Sequence, residues 1–253
     1  MAENYALDLI ETGRKLDGRG LEEFRKIEIE PNIIKNAEGS ARVRIGKTEV
    51  IAGVKMGLGE PFSDTPNEGI LIVNAEFTPL ASPDFESGPP GENAIELARI
   101  VDRGIRESKC IKLNELCIEP EKKVWSIFID IHIINHDGNL IDAAALAGSV
   151  AVLNAKIPKL DGEKIIRGES ERQLPVQYKP VTVTVCKVMD KFLLDPTLED
   201  ESIIEAKLSV AVRDDDKVCA LQKQGREEMS IEDLEKMIGI AVEKSREMRK
   251  LVG

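Results

Sequence analysis

Aromatic residues are scarce in this chain of 253 residues: one Trp, two Tyr and six Phe. A nucleic-acid surface built on successive stacked bases is therefore hard to assemble from it. Four cysteines (Cys110, Cys117, Cys186 and Cys219) are too few for a disulfide framework, and no Cys-x-x-Cys pair offers a zinc site. They read as thiols in a reducing, cytoplasmic compartment. No apolar run approaches the ~18 residues of a membrane span, and the N-terminus lacks the basic-then-apolar profile of a signal peptide. Positive charge is also short: 35 Lys and Arg face 46 Asp and Glu, a net charge of −11. Such a chain does not find RNA through its overall charge.

What is present is a charge-rich chain, 32% Asp, Glu, Lys and Arg, with ample Ile, Val and Leu, a composition that points to a globular protein from a hot environment. Residues 25–30 alternate apolar and charged, and Ala41, Val43 and Ile45 turn at Gly46-Lys47 into Val50, Ala52 and Val54, a hairpin. Proline and glycine mark 57–68 and 79–92 as loops. Helical spacing of Ile95, Leu97, Ile100, Val101 and Ile105 predicts a helix over 93–108. A strand at 124–134 leads through His136-Asp137-Gly138-Asn139 into a small-residue helix over about 141–155. The second half reads as strands at 181–188, 191–197, 207–213 and 217–223. A helix opened by Ser230 and Asp233 follows, with Ile231, Leu234, Met237, Ile238, Ala241 and Leu251 as its buried face. The expectation is an α+β chain: an N-terminal subdomain (1–157) with an extended arm, a connection (158–180) and a C-terminal subdomain (181–253).

The common catalytic signatures are missing: no GxxxxGK[ST] phosphate loop and no GxSxG elbow occurs. His132 and His136 share a strand face but stand ~13 Å apart along it, too far to share one ion. No metal site is expected. Arg99, Arg103 and Arg106 fall at i, i+4 and i+7 on one helix face. Interspersed with Asp102 and Glu107, they form either a solvent face of ion pairs or a cationic ridge for RNA phosphates.

Five motifs in order resemble the RNase PH family of phosphorolytic 3′→5′ exoribonucleases. They are Arg14-Lys15-Leu16-Asp17-Gly18-Arg19, the Gly39-Ser40-Ala41 to Ala52 hairpin, the arginine helix 96–109, His136-Asp137-Gly138, and Ala143 to Ala147. The resemblance implies the family's fold, two related βαβ-containing subdomains of the kind found in ribosomal protein S5 domain 2. It also implies a phosphate site at residues 139–142, where active relatives carry Gly-Thr-Arg or Gly-Arg-Ser. This chain has Asn139, Leu140, Ile141 and Asp142, with Asn93 in place of a further arginine. The family's second acidic pair, its acid or metal ligand, falls on Glu201 and Lys207, and the second has the wrong charge.

The chain is most similar to the family's non-catalytic members, RNase PH-like subunits of the archaeal exosome. That likeness implies a hexameric ring of three copies alternating with three of a catalytic paralogue, capped by subunits carrying S1 or KH domains. RNA contacts would come from Arg99 and Arg103, with Arg106 as a third candidate. Inorganic phosphate, and Mg2+ if a metal takes part, would act on the partner subunit. Two alternatives remain open: a self-sufficient homo-oligomeric phosphorolytic exoribonuclease, and a scaffold without RNA contact.

Overall fold

The computed structural model describes residues 2–252, with side chains from Tyr5 onward. In chain order its elements are α1 (Ala2–Glu11), β1 (Ile27–Pro31), β2 (Gly39–Ile45), β3 (Thr48–Gly59), β4 (Ile70–Phe77), α2 (Glu92–Glu107), β5 (Cys117–Glu119), β6 (Lys123–Asn135) and α3 (Leu140–Leu153). There follow β7 (Lys156–Asp161), β8 (Lys164–Gln173), β9 (Val181–Val188), β10 (Lys191–Leu194), α4 (Leu198–Glu201), β11 (Ala206–Val212), β12 (Val218–Gly225) and α5 (Ile231–Arg249).

Alternation builds the first sheet. Ala41, Val43 and Ile45 of β2 are fully buried while Arg42 and Arg44 point outward, and β2 pairs antiparallel with β3 so that Ala41 faces Ala52 and Val43 faces Val50. The strand order is β1-β2-β3-β6-β4, with β5 added beside β6. β4 runs parallel to β6, and α2 crosses between them, giving one βαβ unit. The second sheet, β10-β9-β11-β12, is antiparallel at every pairing. The crossover expected in both halves is thus confined to the first.

Helix α3 joins the halves. It packs on β2 and β3 of the first sheet and on β9 of the second, and every residue from Asp142 to Val152 is buried. Enclosure on all sides explains its unbroken run of small apolar residues. The fit is close enough that a Cβ on Gly39 would stand 2.3 Å from the Ala151 carbonyl oxygen. The main hydrophobic core runs from Ala41 through α3 to Met248, and a smaller separate cluster joins Ile10 of α1 to Cys186, Val188 and Leu193 of the second sheet.

Several sequence expectations change. Strand β3 extends through Gly59 into the stretch read as a loop. Gly57 and Gly59 fit there because they lie against Phe128 and Ser126, with Cβ clearances of only 3.2 and 2.6 Å. The arm begins with a helix, α1, and the stretch 158–180 contains most of the β7–β8 hairpin. That hairpin's polar, mostly exposed strands and its register shifts at Pro158 conceal its periodicity. Ile95, Ile231 and Leu251 are exposed rather than buried. The Ser230–Asp233 capping box is present, and α5 buries Met237, Ala241, Ser245 and Met248.

Candidate functional site

The turn between β6 and α3 is held from three directions. Gly138 has φ +84°, and a Cβ there would lie 2.4 Å from the Pro196 carbonyl oxygen, so only glycine allows the approach. Thr48 Oγ1 donates to the Gly138 carbonyl at 2.6 Å and accepts the Asp137 N–H at 3.1 Å. Asn139, also left-handed (φ 52°), donates through Nδ2 to Asp195 Oδ1 at 2.9 Å.

Asp195 is the buried hub of this corner. Its carboxylate accepts Arg25 Nη2 at 2.7 Å, Arg25 Nε at 2.9 Å and Arg19 Nη1 at 3.0 Å. Burial works against its ionisation, but Arg25 outweighs burial and its pKa falls below the usual range. Lys15, fully buried, donates to the carbonyls of Leu194 at 2.7 Å and Glu23 at 2.5 Å. The Arg14–Arg19 motif thus acts as a latch between the N-terminal arm and the second half.

This clamp sets a cleft of about 240 Å³ at the seam between the halves. Asn139, Leu140 and Ile141 enter from the start of α3, Asn93 from α2, Glu201 from α4 and Lys207 from β11. The positions that the resemblance assigns to the phosphate site and to the acid pair are brought together, Asn139 and Glu201 being 62 residues apart in sequence. Glu201 Oε1 accepts the Asn139 backbone N–H at 3.1 Å and Lys207 Nζ at 2.9 Å. A carboxylate therefore sits on the amide end of α3, where an anion is favoured, and a lysine neutralises it. Burial pulls the Lys207 ammonium down, but Glu201 outweighs burial and raises its pKa.

Asp142 departs from expectation. It is fully buried on the inner side of α3 and does not line the cleft, so it is not the group that would repel an incoming dianion. Neither carboxylate oxygen finds a partner in hydrogen-bond geometry. Burial pushes its pKa up to about 7, against the weaker pull of Thr184 and Asn139.

The rest of the lining mixes an aromatic side (Phe77, Phe85 and His136) with the polar Glu96, Thr184 and Gln224. His136 stacks on Phe85 with centroids 5.5 Å apart, and Phe85 meets Phe77 at 4.7 Å. Burial lowers the His136 pKa, and its Nδ1 accepts the Gly138 N–H at 3.3 Å. A neutral imidazole supplies no charge for phosphate. His132 instead faces Glu76, Nδ1 to Oε2 at 3.3 Å. Among the described residues no group of three or more His, Cys, Asp or Glu side chains could hold a metal ion.

The α2 arginines divide. Arg106 is tied to Asp102 at 2.7 Å and to the Leu71 carbonyl at 2.8 Å, so the ion-pair reading describes it. Arg103 is exposed, with a single 3.4 Å contact to Gln222 Oε1. Arg99 is exposed and has no ion pair or hydrogen bond among the described residues. Two guanidinium groups without an ion pair among the described residues thus stand one turn apart, and Arg99 and Asn93 line one pocket.

Sequence reading missed the aromatic side of the cleft, Gln224, and the Arg25–Asp195 pair. Those last partners are 170 residues apart, and no local spacing announces them.

A family model described as 3′ exoribonuclease family, domain 1, matches residues 23–158, and the domain 2 model matches 179–244. "Exosome complex component Rrp42" of Methanothermobacter thermautotrophicus is 48% identical over 240 residues, spanning 94% of this chain and 89% of that protein. The Archaeoglobus fulgidus protein of that name is 47% identical, spanning 98% and 94%. A solved structure of the Archaeoglobus fulgidus exosome with RNA bound to the active site superposes with a TM-score of 0.92 at 46% identity, covering 98% of this chain and 96% of that one. An archaeal exosome core superposes at 0.88 and 43%, covering 99% and 96%. Rice Rrp46, 18% identical with a TM-score of 0.71, shares the fold. By both of its domains and by relatives of nearly equal length, this chain belongs to the RNase PH family of 3′ exoribonucleases.

Proposed function

We propose that this chain is the non-catalytic ring subunit of an archaeal exosome, structuring the active site of a catalytic paralogue and guiding RNA toward it. The observation that carries the non-catalytic reading is the Glu201 carboxylate on the α3 amide end, ion-paired to Lys207. Phosphorolysis needs that ground for the phosphate nucleophile and needs a free acid beside it. Here both are spent on each other. In the ring, phosphate would attack the 3′-terminal phosphodiester of RNA in the partner's site and release a nucleoside diphosphate. Mg2+, if a metal takes part, would bind there too. Three copies of each subunit would alternate, under a cap carrying S1 or KH domains, in the cytoplasm.

The purified chain is expected to release no nucleoside diphosphate from RNA and phosphate, whereas the ring with its paralogue should do so. Release by this chain alone would make it a self-sufficient exoribonuclease and overturn the reading.

RNA guiding rests on Arg99 and Arg103, which no carboxylate pairs with among the described residues. Arg99→Glu with Arg103→Glu in the assembled ring should weaken RNA binding by about tenfold or more at 0.15 M salt, the scale of two lost phosphate contacts. Assembly should be unchanged. Unaltered RNA affinity would favour a pure scaffold.

A further inference from the structure

The β7–β8 hairpin does more than join the halves. It walls one side of a second cleft, of about 550 Å³, whose other sides are the loop between β1 and β2 and strand β3. Four cationic side chains from four segments meet there: Lys35, Lys55, Lys156 and Arg167. One nearly buried carboxylate organises two of them. Glu38, 9% exposed, accepts Lys55 Nζ at 2.9 Å, Arg167 Nη1 at 2.8 Å and the Met56 N–H at 2.9 Å. Lys55 also donates to the Asn36 carbonyl at 2.7 Å, and Arg167 to the Met56 carbonyl at 2.9 Å. These two cations are fixed in place.

Lys35 and Lys156 are different. Both are exposed, and neither side chain has an ion pair or hydrogen bond among the described residues. The other lining carboxylate, Glu169, faces Lys159 at 3.3 Å. The lining thus carries more cations than anions in a chain whose net charge is −11. A positive concavity on so acidic a molecule is a local recognition feature.

Its chemistry selects the ligand. Among the described residues its lining has no aromatic side chain on which a base could stack, and Ala37 and Pro158 are its apolar side chains, the rest of its carbon surface coming from glycine and the stems of polar residues. A protein partner's interface would need aromatic or aliphatic anchors at its centre. A sugar–phosphate backbone needs only cations. We propose that this cleft binds the backbone of single-stranded RNA without sequence preference, through Lys35 and Lys156, as a contact separate from the α2 arginines. The choice of RNA rests on the RNA-handling role proposed above.

The test is fluorescence-anisotropy titration of labelled oligoadenylate with the full-length chain across a salt series. Four proteins are compared: wild type, Lys35→Gln/Lys156→Gln, Arg99→Gln/Arg103→Gln, and Lys122→Gln/Lys236→Gln. The last removes the same charge from exposed ion pairs elsewhere. The Lys35/Lys156 variant should lose about tenfold in affinity near 0.15 M salt. The slope of log K against log salt should fall by about 1.4, at ~0.7 per phosphate contact on a single strand. The Lys122/Lys236 control should change little. A Lys35/Lys156 variant that matches the control overturns the proposal, and if the arginine variant alone weakens binding the general RNA role survives. Loss in neither variant, or no binding by wild type at low salt, removes both. Normal RNA affinity with lost recovery of protein partners would make the cleft a protein-docking surface and also overturn it.

Discussion

Asp142 shows what one misplaced carboxylate does to a buried helix. It is enclosed, with neither oxygen in hydrogen-bond geometry among the described residues, and burial pushes its pKa from the ordinary 3.8 up to about 7 in the folded chain. Between those values the folded state holds a proton that the unfolded state has released, so stability falls as pH rises through that window. The loss should reach up to about 4 kcal/mol, at roughly 1.4 kcal/mol per pH unit of separation. Urea unfolding of Asp142→Asn against wild type, from pH 4 to 8, should show a flatter profile for the variant. Parallel profiles would mean that the carboxylate finds partners in solution.

Glu201 is the complementary case, a carboxylate whose partners are all in place. Replacing it with Gln removes the negative charge from the α3 amide end and leaves Lys207 without its counter-charge. Calorimetry is expected to detect no binding of inorganic phosphate by wild type and measurable binding by Glu201→Gln. An unchanged result would mean that the lost Arg at position 93 or the hydroxyls absent from 139–142 dominate.

Among the elements, α3 has the least freedom. A methyl group on Gly39 has nowhere to go except into the Ala151 carbonyl, so Gly39→Ala should cost about 1–3 kcal/mol by overpacking. Asp195→Ala should cost more, about 3–5 kcal/mol, because it strands the Arg25 guanidinium in a largely buried site. Chemical denaturation checks both.

The same elements explain what could be read in advance. Alternation in β2 and β3 and the composition of α3 report burial directly, since each follows from packing on one face or on every face. The β7–β8 hairpin hid because exposed polar strands obey no hydrophobic period. In the site, Asn139 to Ile141 follow the His136-Asp137-Gly138 motif and Glu201 and Lys207 follow from alignment of 194–210 with the family, and the fold brings all five to one cleft. Asp142 was misassigned because sequence order does not tell which side of a helix turn faces a cleft. The split among Arg99, Arg103 and Arg106 depended on which pairs form: Asp102 closes on Arg106 at i+4, while Arg99, with Glu96 at i−3 and Asp102 at i+3, makes no ion pair among the described residues.

For the molecule as a whole, the net charge and the local basic features describe one division. Overall repulsion would keep RNA from coating the surface, and on the readings proposed above α2 and the hairpin cleft would give it two places to settle. If the ring reading holds, light scattering of the chain mixed with its paralogue should give an equimolar species near six subunits. A mixture that stays at the masses of its separate components would remove that reading.

The latch at the N-terminus has a consequence in time. Lys15 bonds a carbonyl 179 residues further along, and Arg19 and Arg25 bond Asp195. A ribosome delivers the arm first and its anchorage last, so the first 25 residues wait, unsecured, through most of the chain's synthesis. Helix α3 likewise meets β9 only after the hairpin has emerged. Final closure of the cleft is therefore a late event of biogenesis, and a chain truncated before residue 195 lacks the contacts that hold its own beginning in place.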